Sequence, residues 1–214
     1  PIPQNIDNIS FYVPDTFAAG SECFPKDLES FQDFNLKMVS SNARNVNSKI
    51  LIKEGINFIK NSYSLGIRTK TLIDTGKQII SELTDKNRLV RRRTLQMKLA
   101  FDIFYKNLKN CNPDCSFFFT NHVASSMHRY WPCLFIDDYK DNNFDQNWLN
   151  IFSNEISHTM FEANRQIKML LNFVKSNSNY EILIISSMGQ EAVQNSKMIT
   201  KQTLILNFSK FMGG

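Results

Sequence analysis

The chain has no apolar run long enough to cross a membrane. The longest candidates in its 214 residues are Ser116 to Thr120 and Ile182 to Ile185, whereas a membrane-spanning helix needs about 20 apolar residues. No basic segment followed by an apolar stretch marks a signal peptide. The chain begins at Pro1 rather than Met, which leaves a missing amino-terminal portion or processing open. We therefore expect a soluble protein with no membrane span.

Cysteine pairs of the C-x-x-C type are also missing. The cysteines are Cys23, Cys111, Cys115 and Cys133. The last three would supply zinc thiolates only with a fourth ligand, and the sequence offers no matching one. Ordinary reduced thiols are the favoured interpretation. They indicate a reducing compartment, and we expect a cytoplasmic protein.

Positive charge is concentrated in one segment. The formal net charge is +5, and the stretch from Lys86 to Asn110 holds eight lysines and arginines against Asp102 alone. Its apolar residues recur at helical spacing. A basic helix suits nucleic acid, an acidic membrane surface or an anionic substrate, but a solvated helix face is the favoured interpretation. Three successive arginines point about 100° apart, and no recognition-helix, zinc-finger or RNA-binding motif supports nucleic acid.

The order of apolar patterns predicts an α/β fold. We divide the chain into a loop-rich segment, 1–46, a helical segment, 47–110, and an α/β core portion, 111–214, and treat them as one domain. Predicted helices lie near 50–59, 72–83, 86–110 and 148–174, and predicted strands at 9–13, 116–120, 180–186 and 203–206. This alternation favours a mostly parallel sheet flanked by helices. The strands at 116–120 and 180–186 should be buried on both faces.

Polar residues follow the predicted strand at 116–120. In such folds, ligands bind beyond the carboxyl ends of strands. Imidazole binds metals or moves a proton, so His122 and His128 are the predicted ligands of a divalent metal such as zinc. Arg129 and Asn121 are the predicted substrate-binding residues, because a guanidinium holds an anionic group by two contacts. The alternative is a structural loop whose histidines hydrogen-bond the backbone.

Two motifs together resemble the alkaline-phosphatase-like superfamily, in particular its type I phosphodiesterase and nucleotide pyrophosphatase branch. They are TNHVASSMHRYW at 120–131 and ILIISSMGQ at 182–190, separated by a predicted long helix as in that family. The stretch from Val13 to Ala18 and Phe24-Pro25 is similar to an insert in some members. The resemblance implies an α/β fold that is incomplete at the amino terminus and lacks the segment bearing the nucleophile.

The resemblance also has departures that bear on function. Ser187 and Met188 stand where the family has a metal-binding Asp and His, and neither is a good ligand for zinc or magnesium. Asp15 is either the family's first metal-binding aspartate or a turn residue after Pro14. The resemblance thus implies that the chain is part of a phosphoester or sulfate-ester hydrolase. The catalytic residues of that hydrolase are not identified by the sequence. The alternative is an inactive relative that binds an anionic sugar, a nucleotide or a partner protein.

Overall fold

The described part of the chain is helical. The structure, a computed structural model, describes residues 7–16, 18–42, 62–140, 143–186 and 189–192. Of these residues 66% are helical and 1% are in strand, and they form no sheet. The predicted α/β fold with a mostly parallel, alkaline-phosphatase-like sheet is therefore wrong for this part. A sheet needs neighbouring strands that exchange backbone hydrogen bonds. Among these residues, the predicted strand at 9–13 makes a single bridge, and those at 116–120 and 180–186 pair with no neighbouring strand.

Six α-helices, three short 3-10 helices and the helical residues 62–65 make up the described fold. The α-helices are α1 Glu29–Asn42, α2 Thr69–Thr84, α3 Arg92–Cys111, α4 His122–Leu134, α5 Gln146–Phe152 and α6 Glu155–Ser176. The 3-10 helices are Lys26–Leu28, Lys86–Arg91 and Ile136–Asp138. The segment predicted to be loop-rich thus contains α1.

Helix α3 is the centre of the fold and is buried on more than one side. Leu99 and Ile103 pack in one apolar cluster with residues from α1 and the turn before α2. Phe101, Phe104 and Leu108 form a second cluster with Phe173 of α6. Phe101 is fully buried. The middle of the basic segment is therefore core, and the solvated-face interpretation does not describe it.

The three successive arginines at the start of α3 point to three different helices. Arg91 pairs with Glu155 of α6 at 2.7 Å, and Arg92 pairs with Glu82 of α2 at 2.7 Å. Arg93 donates from Nη1 to Oγ of Ser125 in α4, also at 2.7 Å. This divergence follows from the rotation of about 100° per residue in a helix. The arginines thus connect helices, and they do not form one flat cationic surface.

The ends of the helices follow local chemistry. Helix α3 ends at Cys111, one residue past the predicted end, because Asn112 adopts a left-handed conformation with φ of 44° and Pro113 follows. Gly66, with φ of +85°, turns the chain after the helical residues 62–65, just before α2, and a side chain there would collide with Lys106.

Most of the described residues at the predicted helices are helical, but two of the predicted helices are each divided in two. The predicted helix at 86–110 begins as the 3-10 helix Lys86–Arg91 and continues as α3. Helix α2 covers the pattern at 72–83, whereas the pattern at 148–174 forms two helices, α5 and α6, that are separated at Ser153 and Asn154. The predicted helix near 50–59 and the predicted strand at 203–206 lie outside the described residues.

The predicted buried strands are wrong as strands and as buried elements. Residues 116–120 and 180–186 belong to no strand, and Phe117 and Leu183 are 88% and 82% exposed. The stretch at 9–13 contributes one antiparallel bridge, in which Tyr12 and Phe24 exchange backbone hydrogen bonds of 2.6 and 2.9 Å. Within the described ranges, no helix is both long and apolar enough to cross a membrane.

Candidate functional site

The segment predicted to be a ligand-binding loop is helix α4. It runs from His122 to Leu134, with Asn121 at its amino-terminal cap and Tyr130 in a non-helical conformation near its end. The ring of Tyr130 stacks on Phe152 of α5 with centroids 4.9 Å apart. Because the segment is helical, spacing along α4 decides which of the predicted site residues share a face.

His122 lies inside the fold. It is 3% exposed, its Nδ1 is 2.7 Å from the hydroxyl of Thr120, and its Nε2 is 3.2 Å from the carbonyl oxygen of Thr159. A carbonyl only accepts, so Nε2 carries the proton and Nδ1 accepts from the hydroxyl. Burial lowers the pKa of His122 to about 4. The imidazole thus joins the start of α4 to α6 by a hydrogen bond. This is the role of the alternative interpretation, in which the histidines hydrogen-bond the backbone and bind no metal.

The structure does not bring His122 and His128 together as metal ligands. Six positions separate them, so their side chains leave α4 about 120° apart, and His128 is exposed. No group of three or more His, Cys, Asp or Glu residues suited to a metal ion occurs in the described ranges. The prediction of a metal-binding protein is therefore wrong for the described residues. Ser187 and Met188 of the second motif lie outside the described residues.

The two predicted substrate-binding residues, by contrast, lie on one side of α4. Asn121, Ser125 and Arg129 are spaced four residues apart, so they form a line along the helix. Asn121 and Arg129 are exposed, and Ser125 accepts the hydrogen bond from Arg93. Arg93 thus joins this line from α3. We call Arg93, Asn121, Ser125 and Arg129 the α4 anion site.

Arg93 and Arg129 stand close enough to influence each other. The pKa of Arg93 is lowered, first by its partial burial and then by the positive charge of Arg129. The sequence assigned Arg93 to the basic helix and gave no sign of this contact, because Ser125 is 32 residues away along the chain.

Among the arginines that the structure describes, these two differ from the others in having no carboxylate partner there. Among the described residues, ion pairs form at Arg68 with Asp102, Arg88 with Asp85, Arg91 with Glu155, Arg92 with Glu82 and Arg165 with Glu162. No ion pair within the same ranges involves Arg93 or Arg129. The α4 anion site is therefore a local excess of positive charge.

A groove of about 1160 Å³ leads to this site. Its walls are residues 8–16 and 111–122, its floor is α3, and Arg93 and Ser125 lie at the end where residue 120 meets α4. The walls are fixed to the floor by aromatic contacts with Phe104. Its ring centroid lies 5.9 Å from that of Phe11 and 5.1 Å from that of Phe118.

A second cavity, of about 300 Å³, lies between α2, α3 and α6 and holds charges of both signs. Lys98 contacts Asp74 at 2.5 Å and Glu162 at 3.4 Å, and Arg165 contacts Glu162 at 2.9 Å. Lys98 and Arg165 are thus each paired with a carboxylate across or along these helices. We interpret the cluster as a structural ion-pair network that joins the three helices.

The comparisons with known proteins add no family. No protein-family model, curated protein or solved structure matches this chain. The resemblance to the alkaline-phosphatase-like superfamily stays a prediction from the sequence. The function must therefore be argued from the chemistry of the α4 anion site and its groove.

Proposed function

We propose that this chain binds a ligand bearing an anionic group, which Arg93 and Arg129 hold together. The observation that carries the proposal is that these two neighbouring guanidinium groups have no carboxylate partner among the described residues, whereas the other described arginines have one. Like charges at close range repel each other, and an anion between them would turn that repulsion into attraction.

The donors at the site suit an oxyanion. A guanidinium offers parallel N–H groups that match two oxygens of a carboxylate, phosphate or sulfate. The Ser125 hydroxyl adds a further donor beside Arg93. The side chain of Asn121 does not cap α4, so it too is available to the ligand.

Binding without cleavage is the function we propose, in line with the second alternative drawn from the sequence. The histidine nearest the start of α4, His122, uses both ring nitrogens inside the fold. With a pKa of about 4, it is a poor base at neutral pH.

Calorimetric titration with inorganic phosphate, at constant ionic strength, tests the proposal. We expect wild type to bind phosphate at one site, and Arg129→Gln to lose about tenfold in affinity, the equivalent of one charged hydrogen bond. Arg129→Lys should lose less than Arg129→Gln, because it keeps the charge but not the paired donors.

The matched control is Lys175→Gln, which removes the same charge from an exposed position in the last turn of α6. It should bind phosphate as wild type does. Equal weakening in Lys175→Gln and Arg129→Gln would mean that net charge alone attracts phosphate, and it would remove the α4 anion site as its basis.

A further inference from the structure

The wall of the groove at residues 116–120 has the form of an unpaired edge strand. Its side chains alternate, since Phe118 packs inward on Phe101 and Phe104 while Phe117 and Phe119 are 88% and 74% exposed. Among the described residues, no backbone hydrogen bond joins 116–120 to another segment. Such a segment presents a row of free N–H and C=O groups together with an apolar face, and this is the template that a further strand recognises.

This wall is held in place at both ends. The hydroxyl of Tyr180 donates to the carbonyl oxygen of Pro113 at 2.8 Å, just after α3 ends, and α4 begins at His122. The ring centroid of Phe118 lies 5.5 Å from that of Phe101 and anchors the middle. Because these contacts already hold residues 116–120 in place, a partner strand would not bear the entropic cost of ordering this wall.

The size and charge of the groove indicate the kind of occupant. Its volume of about 1160 Å³ exceeds the roughly 300–1,000 Å³ of ordinary small-molecule pockets. Arg93 is the one cationic residue in its described lining, which also includes Asp15 and Asp114. A polyanion such as nucleic acid would need cations along its length. The rest of the lining is mostly apolar or neutral, and Arg93 together with the hydroxyl of Ser125 supplies donors for one carboxylate. The lining therefore suits an apolar chain that carries a single carboxylate beside Arg93.

We propose that the groove binds an extended apolar strand of a separate polypeptide, which pairs with the backbone of residues 116–120 and presents a carboxylate to Arg93, the arginine of the α4 anion site that lines the groove. The carboxylate contact rests on the proposed anion-binding function, whereas the strand pairing does not. The mode is β-strand addition, in which main-chain hydrogen bonds supply affinity and alternate side chains supply specificity.

Amide hydrogen exchange of the full chain, read residue by residue, tests the proposal. The probe is an acetylated peptide of six alternating threonines and valines with a free carboxyl end, compared with the same peptide as a carboxyl-terminal amide. Saturating peptide should slow exchange about tenfold or more at alternate amides of 116–120, since a ladder bonds every second residue on one edge. The variant Phe117→Lys/Phe119→Lys should lose this protection, because charged edges oppose pairing. Both changed positions are exposed, so the variant should keep its fold and its phosphate binding.

The outcomes separate the two proposals. The amide peptide should protect the same residues but bind about tenfold more weakly than the free acid, because it lacks the charged contact. Equal binding of both peptides with protection supports strand pairing and counts against the carboxylate contact. Binding of the free acid without protection of 116–120 overturns strand pairing and leaves anion binding intact. Protection of residues 116–120 that is already present without peptide overturns the proposal. If this protection rises with protein concentration, the occupant of the groove is a second copy of the chain. If it does not, the occupant is another segment of the same chain.

Discussion

Replacing His122 by Gln should reduce the pH dependence of stability. His122 is buried and neutral, with Nε2 donating to the Thr159 carbonyl and Nδ1 accepting from Thr120. Its pKa is about 4 in the fold, against about 6.5 in the unfolded chain. Between these values the unfolded state binds more protons than the folded state. The free energy of unfolding should therefore fall as pH is lowered from 6.5 towards 4.

The size of the effect follows from this shift. Each pKa unit corresponds to 1.36 kcal/mol, so His122 alone should cost wild type about 3 kcal/mol by pH 4. That is a large part of the 5–15 kcal/mol that stabilises a typical domain. The Gln variant has no imidazole at this position and should not show this loss, although its stability at pH 7 will be lower.

Two other groups must be separated from His122. The pKa of His158 is also lowered, by burial and then by the charge of Arg91, so His158 too lowers stability in acid, but it is present in both proteins. The pKa of Asp74 is lowered below 3.8 despite its burial, through its hydrogen bond and attraction to Lys98. The stability that the ionised Asp74 supplies is therefore lost only below pH 3.8, which lies below the range in which His122 acts. The difference between wild type and His122→Gln isolates His122.

Urea unfolding followed by circular dichroism at intervals from pH 7 to pH 4 measures the effect. The gap between the two free energies of unfolding should change by about 3 kcal/mol over this range, in the direction that favours the variant at low pH. His128→Gln is the matched control, because it changes an exposed imidazole on the same helix. A constant gap between wild type and His122→Gln would refute the buried neutral imidazole.

Three further substitutions test the fold by urea unfolding. Phe101→Ala removes a fully buried ring and should cost about 3–5 kcal/mol; a cost below about 1 kcal/mol would contradict a packed aromatic core. Asp102→Ala removes a buried carboxylate that accepts from the backbone N–H of Arg68 at 2.9 Å and from its Nε at 2.6 Å, and it should cost about 2 kcal/mol. Asn112→Gly, at φ of 44°, should be neutral or stabilise by up to about 1 kcal/mol, and clear destabilisation would contradict the left-handed helix end.

The sequence predicted helices α2 and α3 because their apolar residues recur at helical spacing, which is a local property. It failed on α4 for the opposite reason. The residues that α4 buries at helical spacing include His122, Ser126 and Tyr130, which are polar or amphipathic, so no apolar stripe marked the segment as a helix.

The fold class failed because a strand depends on partners that the local sequence does not specify. The runs at 116–120 and 182–185 have strand-like composition, yet no ladder forms on them within the described ranges. The residues predicted to bind substrate, Asn121 and Arg129, do lie on one side of α4. Arg93 could not be predicted as their neighbour, because that contact depends on how α3 packs against α4.

The most direct test of the anion-binding account is to follow the arginine Nε–H signals by NMR while phosphate is added. The signals of Arg93 and Arg129 should move together along one saturable curve. Those of Arg91 and Arg92, which are held by Glu155 and Glu82, should stay in place. If Arg93 and Arg129 do not respond, or if all the arginine signals drift in parallel, the account is contradicted.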